Sequence, residues 1–271
     1  IPSGWAGRYL DTQFPGYPNN YPNSSMPDPL AIQIGSLTSL VTQGPSVNMG
    51  LSISDPSSFY NLVNGVEDPA PTTPAGRELV YIRNVARQSN QYADAITDAY
   101  NNFTQQGTYP NTNLAGQLKI VARLIKGGLK TRIYMVNIGG FDTHSQQANI
   151  GDTTTGTHAN LLSQLSDAMK AFQDDLQFLG IEDRVLGMTF SEFGRRIISN
   201  GSNGTDHGSG APMFVFGSQV QPGMIGSNPL IPANATVNDN VAMQYDFRSV
   251  YASLLNQWLC VPAADLQQIL L

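Results

Sequence analysis

The chain has 271 residues, of which only 13% are charged, and carries a formal net charge of -6 at pH 7. That length can bury one substantial core without a second domain. The acidic balance argues against a nucleic-acid partner, because nothing here would neutralise phosphates along a groove. No apolar run approaches the roughly 20 residues that a membrane span needs.

The single cysteine, Cys260, excludes a disulfide framework within the chain. It lies in the apolar stretch 254–261 and is expected to be a buried packing residue. Low charge with abundant Asn, Ser, Thr and Tyr leans towards export, to a periplasmic or extracellular setting. Ile1 is no initiator methionine and no basic, hydrophobic leader precedes it, so the expectation is a start after processing or after a missing segment.

Residues 1–77 read as an irregular, surface-wrapping region. Pro2, Pro15, Pro18, Pro22, Pro27 and Pro29 oppose regular helix and central strand across residues 1–30, and 68–74 is rich in Pro and Thr. From Arg77 onward, Tyr81, Ile82, Val85, Tyr92, Ile96, Tyr100 and Phe103 recur at helical spacing, which predicts one long amphipathic helix to about Thr104. A second helix runs from Asn113, read as its cap, through Leu118, Val121, Leu124 and Ile125 to Gly127-Gly128. A buried strand, 132–138, follows. Leu161, Leu165, Ala168, Phe172, Leu176 and Leu179 mark a third helix closed by Gly180. Residues 184–190 and 212–217 read as further strands, and 251–259 as an apolar helix. Helices alternating with strands predict a single α/β domain over 1–271, with helices on both faces of a mostly parallel sheet, that is, a three-layer sandwich.

Two of the three histidines stand beside aspartates and glycines, in Gly139-Gly140-Phe141-Asp142-Thr143-His144 and Gly204-Thr205-Asp206-His207-Gly208. Carboxylate oxygen with neutral imidazole nitrogen is a donor set suited to zinc and similar divalent ions. Glycines let the backbone turn and bring such side chains together. Asp142 and His144 would fall past the carboxyl end of a strand, where open α/β sheets bind ligands. The other reading makes them a helix cap. Ser191-Glu192 with Arg195-Arg196 follows the next strand. That segment reads either as a helix cap and a solvated basic face, or as part of a metal site with a guanidinium for an anionic substrate. His158 is read as a solvent-facing residue of the third helix, with a swing towards the first motif as the alternative.

Gly-Gly-Phe-Asp-Thr-His-Ser-Gln-Gln (139–147), Ser-Glu-Phe-Gly-Arg-Arg (191–196) and Gly-Thr-Asp-His-Gly (204–208) resemble the signatures of an exported bacterial family, domain of unknown function 1501. Gly4-Trp5-Ala6-Gly7-Arg8-Tyr9-Leu10 and Asp246-Phe247-Arg248-Ser249-Val250-Tyr251 match it too. That family is similar in fold to the alkaline phosphatase and sulfatase superfamily, which binds one or two metals at the sheet's carboxyl edge. The resemblance implies that Asp142, His144 and His207 hold one metal, zinc above all, with calcium and manganese as alternatives. It places Asp206 among the ligand candidates and Glu192 where a second metal would be bound. Arg195 or Arg196 would help neutralise the anion, and Ser191 is the hydroxyl adjacent to the motifs. The family's Gly-Gly-X-Asp-Gly segment and nucleophile precede the Gly-Trp stretch. The chain is therefore expected to be a carboxyl-terminal portion, completed by an amino-terminal fragment of the same precursor or by a partner chain.

Two functions stand. One is an exported metal-dependent hydrolase of phosphate or sulfate esters, acting on an anionic ester substrate. The other is a catalytically inactive extracellular structural or surface-assembly protein that retains the phosphatase-like fold.

Overall fold

A computed structural model describes residues 2–36, 38–56, 69–104 and 107–271. Residues 57–68 and Ile1, which belong to the expected irregular region, lie outside the described residues. The chain gathers into two compact units, one of Ile1–Gln106, Gly116–Asn137 and Val261–Leu271, the other of Gly107–Ala115 and Ile138–Cys260.

The first unit is built on a three-stranded parallel sheet in which β1 (Ala31–Ile34) lies between β2 (Gly50–Ile53) and β3 (Ile133–Met135). Ala31, Ile32 and Ile34 of the central strand are buried, as are Leu51 and Ile53 beside them. Near-continuous apolar strands of this kind suit a parallel sheet covered on its faces. Around the sheet the unit contributes α1 (Trp5–Gln13), α2 (Pro74–Asn101), the larger part of α3 (Asn113–Lys126) and α6 (Ala263–Leu270).

The irregular character expected of residues 1–77 is corrected by α1, β1 and β2. The prolines flank α1 rather than enter it, and within it Ala6, Tyr9 and Leu10 recur at helical spacing and are all buried. Phe14, ahead of Pro15, leaves the helical region at φ -129° and ψ 65°, as the residue before a proline is pushed to do. Arg8 ties the helix down, its Nε donating to the Ile269 carbonyl of α6 at 2.5 Å. Pro74 opens α2 behind Thr73, whose hydroxyl accepts from the Gly76 N–H at 3.1 Å.

The second unit carries α4 (Thr157–Phe178), α5 (Phe247–Gln257) and two short antiparallel pairs. In one, β4 (Gly187–Met188) runs against β7 (Val215–Phe216); in the other, β5 (Gly194–Arg195) runs against β6 (His207–Gly208). The strands expected over 184–190 and 212–217 thus meet each other antiparallel and are only two residues long. Leu161, Ala168, Phe172 and Leu176 form the buried stripe of α4. Asp175 is buried on the same helix, with its carboxylate accepting from the Gly107 N–H at 3.1 Å and the Tyr109 hydroxyl at 2.9 Å. Thr112 rather than Asn113 caps α3, its hydroxyl accepting from the Ala115 N–H at 3.4 Å.

Cys260 is exposed, not buried. The buried positions of α5 are Tyr251 and Leu255, and Cys260 sits beyond the helix end at φ +56°, turned off that stripe. No described helix is long and apolar enough to cross a membrane.

Candidate metal centre

Both histidine motifs belong to the second unit. The 139–147 segment holds neither helix nor strand, and Gly140 turns it at φ +95°, a conformation that side chains disfavour, two residues ahead of Asp142. Backbone bonds join this segment to residues 200–205. Gln146 N–H donates to Ser202 O at 3.1 Å, Gln147 N–H to Asn203 O at 2.9 Å, and Thr205 N–H to Thr143 O at 3.2 Å. Gly204 packs so closely on the His144 backbone that any Cβ there would collide with the His144 carbonyl. In the β5–β6 ladder, Arg195 lies opposite His207.

These constraints bring Asp142, His144 and His207 together. One donor atom from each lies within 4.8 Å of the others, a grouping that could hold a metal ion. Asp142 Oδ1 is the centre of it, 2.7 Å from His207 Nε2 and 2.9 Å from His144 Nε2. Two ligands at about 2.0–2.2 Å from a tetrahedral zinc would stand about 3.3–3.6 Å apart. The two Asp142–imidazole contacts would have to open by less than about 1 Å to reach that separation. All three side chains are about half exposed, so the cluster can be reached from solvent.

The surrounding groups orient this set. Asp206 Oδ1 lies 3.0 Å from His144 Nδ1 and accepts at 3.2 Å from Asn200 Nδ2, which also donates to the His144 carbonyl at 2.9 Å. A carboxylate on the far ring nitrogen is the usual way a metal-binding imidazole is fixed in tautomer and direction. The Phe193 ring stacks on His207, with centroids 3.9 Å apart and planes 7° from parallel. Arg195 Nη1 donates to Asp142 Oδ1 at 3.0 Å, Nε donates to the Thr205 hydroxyl at 2.9 Å, and Nη2 donates to the Thr205 carbonyl.

The electrostatics follow these contacts. The hydrogen bond from His207, then that from Arg195, hold the Asp142 carboxyl below the ordinary aspartate value. Asp206 is lowered in the same way, first by His144 and then by Asn200. Both carboxylates are therefore ionised at neutral pH, as ligation and orientation require.

The remaining candidates sit differently. Asp206 acts on His144 from outside the triad. Glu192 is exposed and makes no hydrogen bond or ion pair among the described residues. The Ser191 hydroxyl donates to the Phe193 carbonyl at 3.0 Å. Arg196 is bound to the carbonyls of His207 and Val237 and to Asn238. His158 corrects its expected solvent-facing position. Its ring is half-buried, edge-on to Phe141 at 5.8 Å, and Nδ1 has no hydrogen-bond partner among the described residues. Burial, then the charge of Arg195, lower its pKa from the usual 6.5. Sequence reasoning missed Asn200, Thr205, Phe193 and Gln147. Phe193, Thr205 and Gln147 lie inside the motif segments, and that position was the only signal they gave.

An α/β protein with an accessible carboxylate-and-two-histidine cluster is the class that fold and site define. The chain belongs to the family described as "Protein of unknown function (DUF1501)", whose model matches residues 79–258 and so takes in every residue of the cluster. No curated protein and no solved structure gives a significant match.

Proposed function

We propose that the protein is an exported metal-dependent hydrolase of phosphate or sulfate esters, with Asp142, His144 and His207 as ligands of a divalent ion. The observation that carries the reading is the convergence of these three donors with Asp206 behind His144. Two imidazoles and one carboxylate favour zinc over calcium, which takes oxygen ligands in larger number. An ion bound there would polarise an ester oxygen and activate water for attack.

The chain's own residues supply the rest. Asp142 and the two imidazoles hold the ligand set, and Asp206 fixes the proton of His144 on Nδ1, leaving the Nε2 lone pair for the ion. Arg195 commits three of its five N–H groups to Asp142 and Thr205, and the remaining two would serve an anionic ester. A likeness to the alkaline phosphatase and sulfatase superfamily is part of the proposal and rests on the motif resemblance. Export rests on the lightly charged, Asn-, Ser- and Thr-rich composition.

A second reading is supported by the same oxygen. Asp142 Oδ1 already contacts His144, His207 and Arg195, so the cluster can serve as a cross-link between loops in a catalytically inactive structural protein. Hydrolysis of p-nitrophenyl phosphate and p-nitrophenyl sulfate, with and without added zinc and with a chelator, separates the two. The hydrolase reading expects zinc-dependent turnover of one ester, lost in His207→Ala. Zinc-loaded protein inert towards both esters would favour the structural reading.

A further inference from the structure

The Gln147 side chain, at the Ser-Gln-Gln end of the first motif, is not among the donors of the cluster described above. Gln147 is half-buried, and its Oε1 accepts from two hydroxyls, Thr143 Oγ1 at 3.0 Å and Thr205 Oγ1 at 2.6 Å. The direction of the second bond follows from the acceptor. Gln147 Oε1 carries no proton, so the Thr205 hydroxyl, which itself accepts from Arg195 Nε at 2.9 Å, gives its one proton to Gln147.

Thr143 stands between Asp142 and His144, and Thr205 stands two residues ahead of His207. One side-chain carbonyl therefore joins both ligand-bearing segments. Through Thr205 it also reaches Arg195, which donates to Asp142 at 3.0 Å. Thr143 and Thr205 are only 5% and 8% exposed, so solvent has little access to replace a lost acceptor. The neighbouring Gln146 supplies an internal contrast: it is exposed, and its side chain makes no hydrogen bond among the described residues.

We infer that Gln147 is a positioning residue that sets the metal affinity of the Asp142–His144–His207 triad, by holding its two loops and Arg195 in register through a single acceptor oxygen. The inference rests on the metal reading above. It assigns Gln147 no contact with the ion. What Gln147 supplies is an acceptor, and its amide N–H₂ plays no part.

Zinc titration calorimetry on the full chain tests this with Gln147→Met, Gln147→Glu, Thr143→Val and Gln146→Met. Methionine keeps the length of the side chain and removes the acceptor. The expected loss of affinity is about 10–100-fold, as for other groups that orient metal ligands from outside. Glutamate still offers an oxygen to both hydroxyls and is expected to restore affinity to near the parent's. Thr143→Val removes one of the two bonds, with a smaller loss expected, and it decides the matter if Gln147→Met does not fold. Gln146→Met is expected to bind as the parent does. Parental affinity in Gln147→Met or, failing that, in Thr143→Val overturns the positioning role and leaves the metal reading standing. A loss that Gln147→Glu does not restore overturns it too, since side-chain packing would then be the cause. A parent protein that takes up no zinc overturns both.

Discussion

In the first unit the central strand β1 hides Ala31, Ile32 and Ile34 at no more than 2% exposure, whereas in the second the strands β5 and β6 leave the His207 side chain 48% open. Apolar area removed from water holds the one, at about 25 cal/mol per Å². Directional bonds hold the other around the cluster: Gln147 to two threonines, Asn200 to Asp206, Arg195 to Asp142 and Thr205. Such bonds at exposed groups add little net stability, but each fixes a direction. Substitutions in the first unit should therefore change stability, and substitutions around the cluster should change ligand geometry.

The largest separation is expected from Ile32→Ala. Its side chain is fully buried in the sheet, and the loss should be about 2–5 kcal/mol by urea denaturation. Zinc affinity of the molecules that remain folded should not change; a matching loss of affinity would break the contrast between the units. Next comes Asp206→Ala, which removes the carboxylate from His144 Nδ1 while leaving all three triad side chains in place. Zinc affinity should fall about 10–100-fold, with the urea midpoint nearly unchanged. A large shift in the midpoint without a change in affinity would make Asp206 a stability residue instead.

His158→Phe gives the smallest effect and sharpens the contrast from the other side. A buried Nδ1 without a hydrogen-bond partner among the described residues disappears while the edge-on ring contact with Phe141 can persist, so stability should rise by about 1 kcal/mol. The pH dependence has a definite sign. The folded-state pKa lies below 6.5, so the unfolded chain takes up the proton first, and stability present above pH 6.5 is lost as the pH falls towards the folded-state value. His158→Phe should flatten that slope in thermal melts below pH 6.5. An unchanged slope would show that other groups cause it.

Legibility in the sequence followed the same division. The helices α2, α3, α4 and α5 were readable because apolar side chains recur at helical spacing over several turns. The nine residues of α1 were obscured by prolines that flank it without entering it, and β1 and β2 are four residues each, too short for alternation to stand out. Asp142, His144 and His207 were readable because histidine is scarce and both motifs pair it with aspartate and glycine. The work of Asp206 was not, because a ligand and a group that orients a ligand share one chemistry and differ only in which ring nitrogen they meet. Gln147 and Thr205 carry no signal beyond their place in the motifs, and their meaning arises from a contact across 58 residues of chain. Cys260 belongs to an apolar run yet is exposed, because the chain turns at φ +56° past the end of α5.

Zinc-edge X-ray absorption on the zinc-loaded protein tests the central claim most directly, since it counts the ligands around the ion. The account predicts one tightly held zinc per chain, with scattering from two imidazoles and an oxygen donor at about 2.0–2.2 Å, and loss of one imidazole contribution in His207→Ala. Protein that retains no zinc after dialysis, or a zinc whose spectrum is unchanged in His207→Ala, would contradict it.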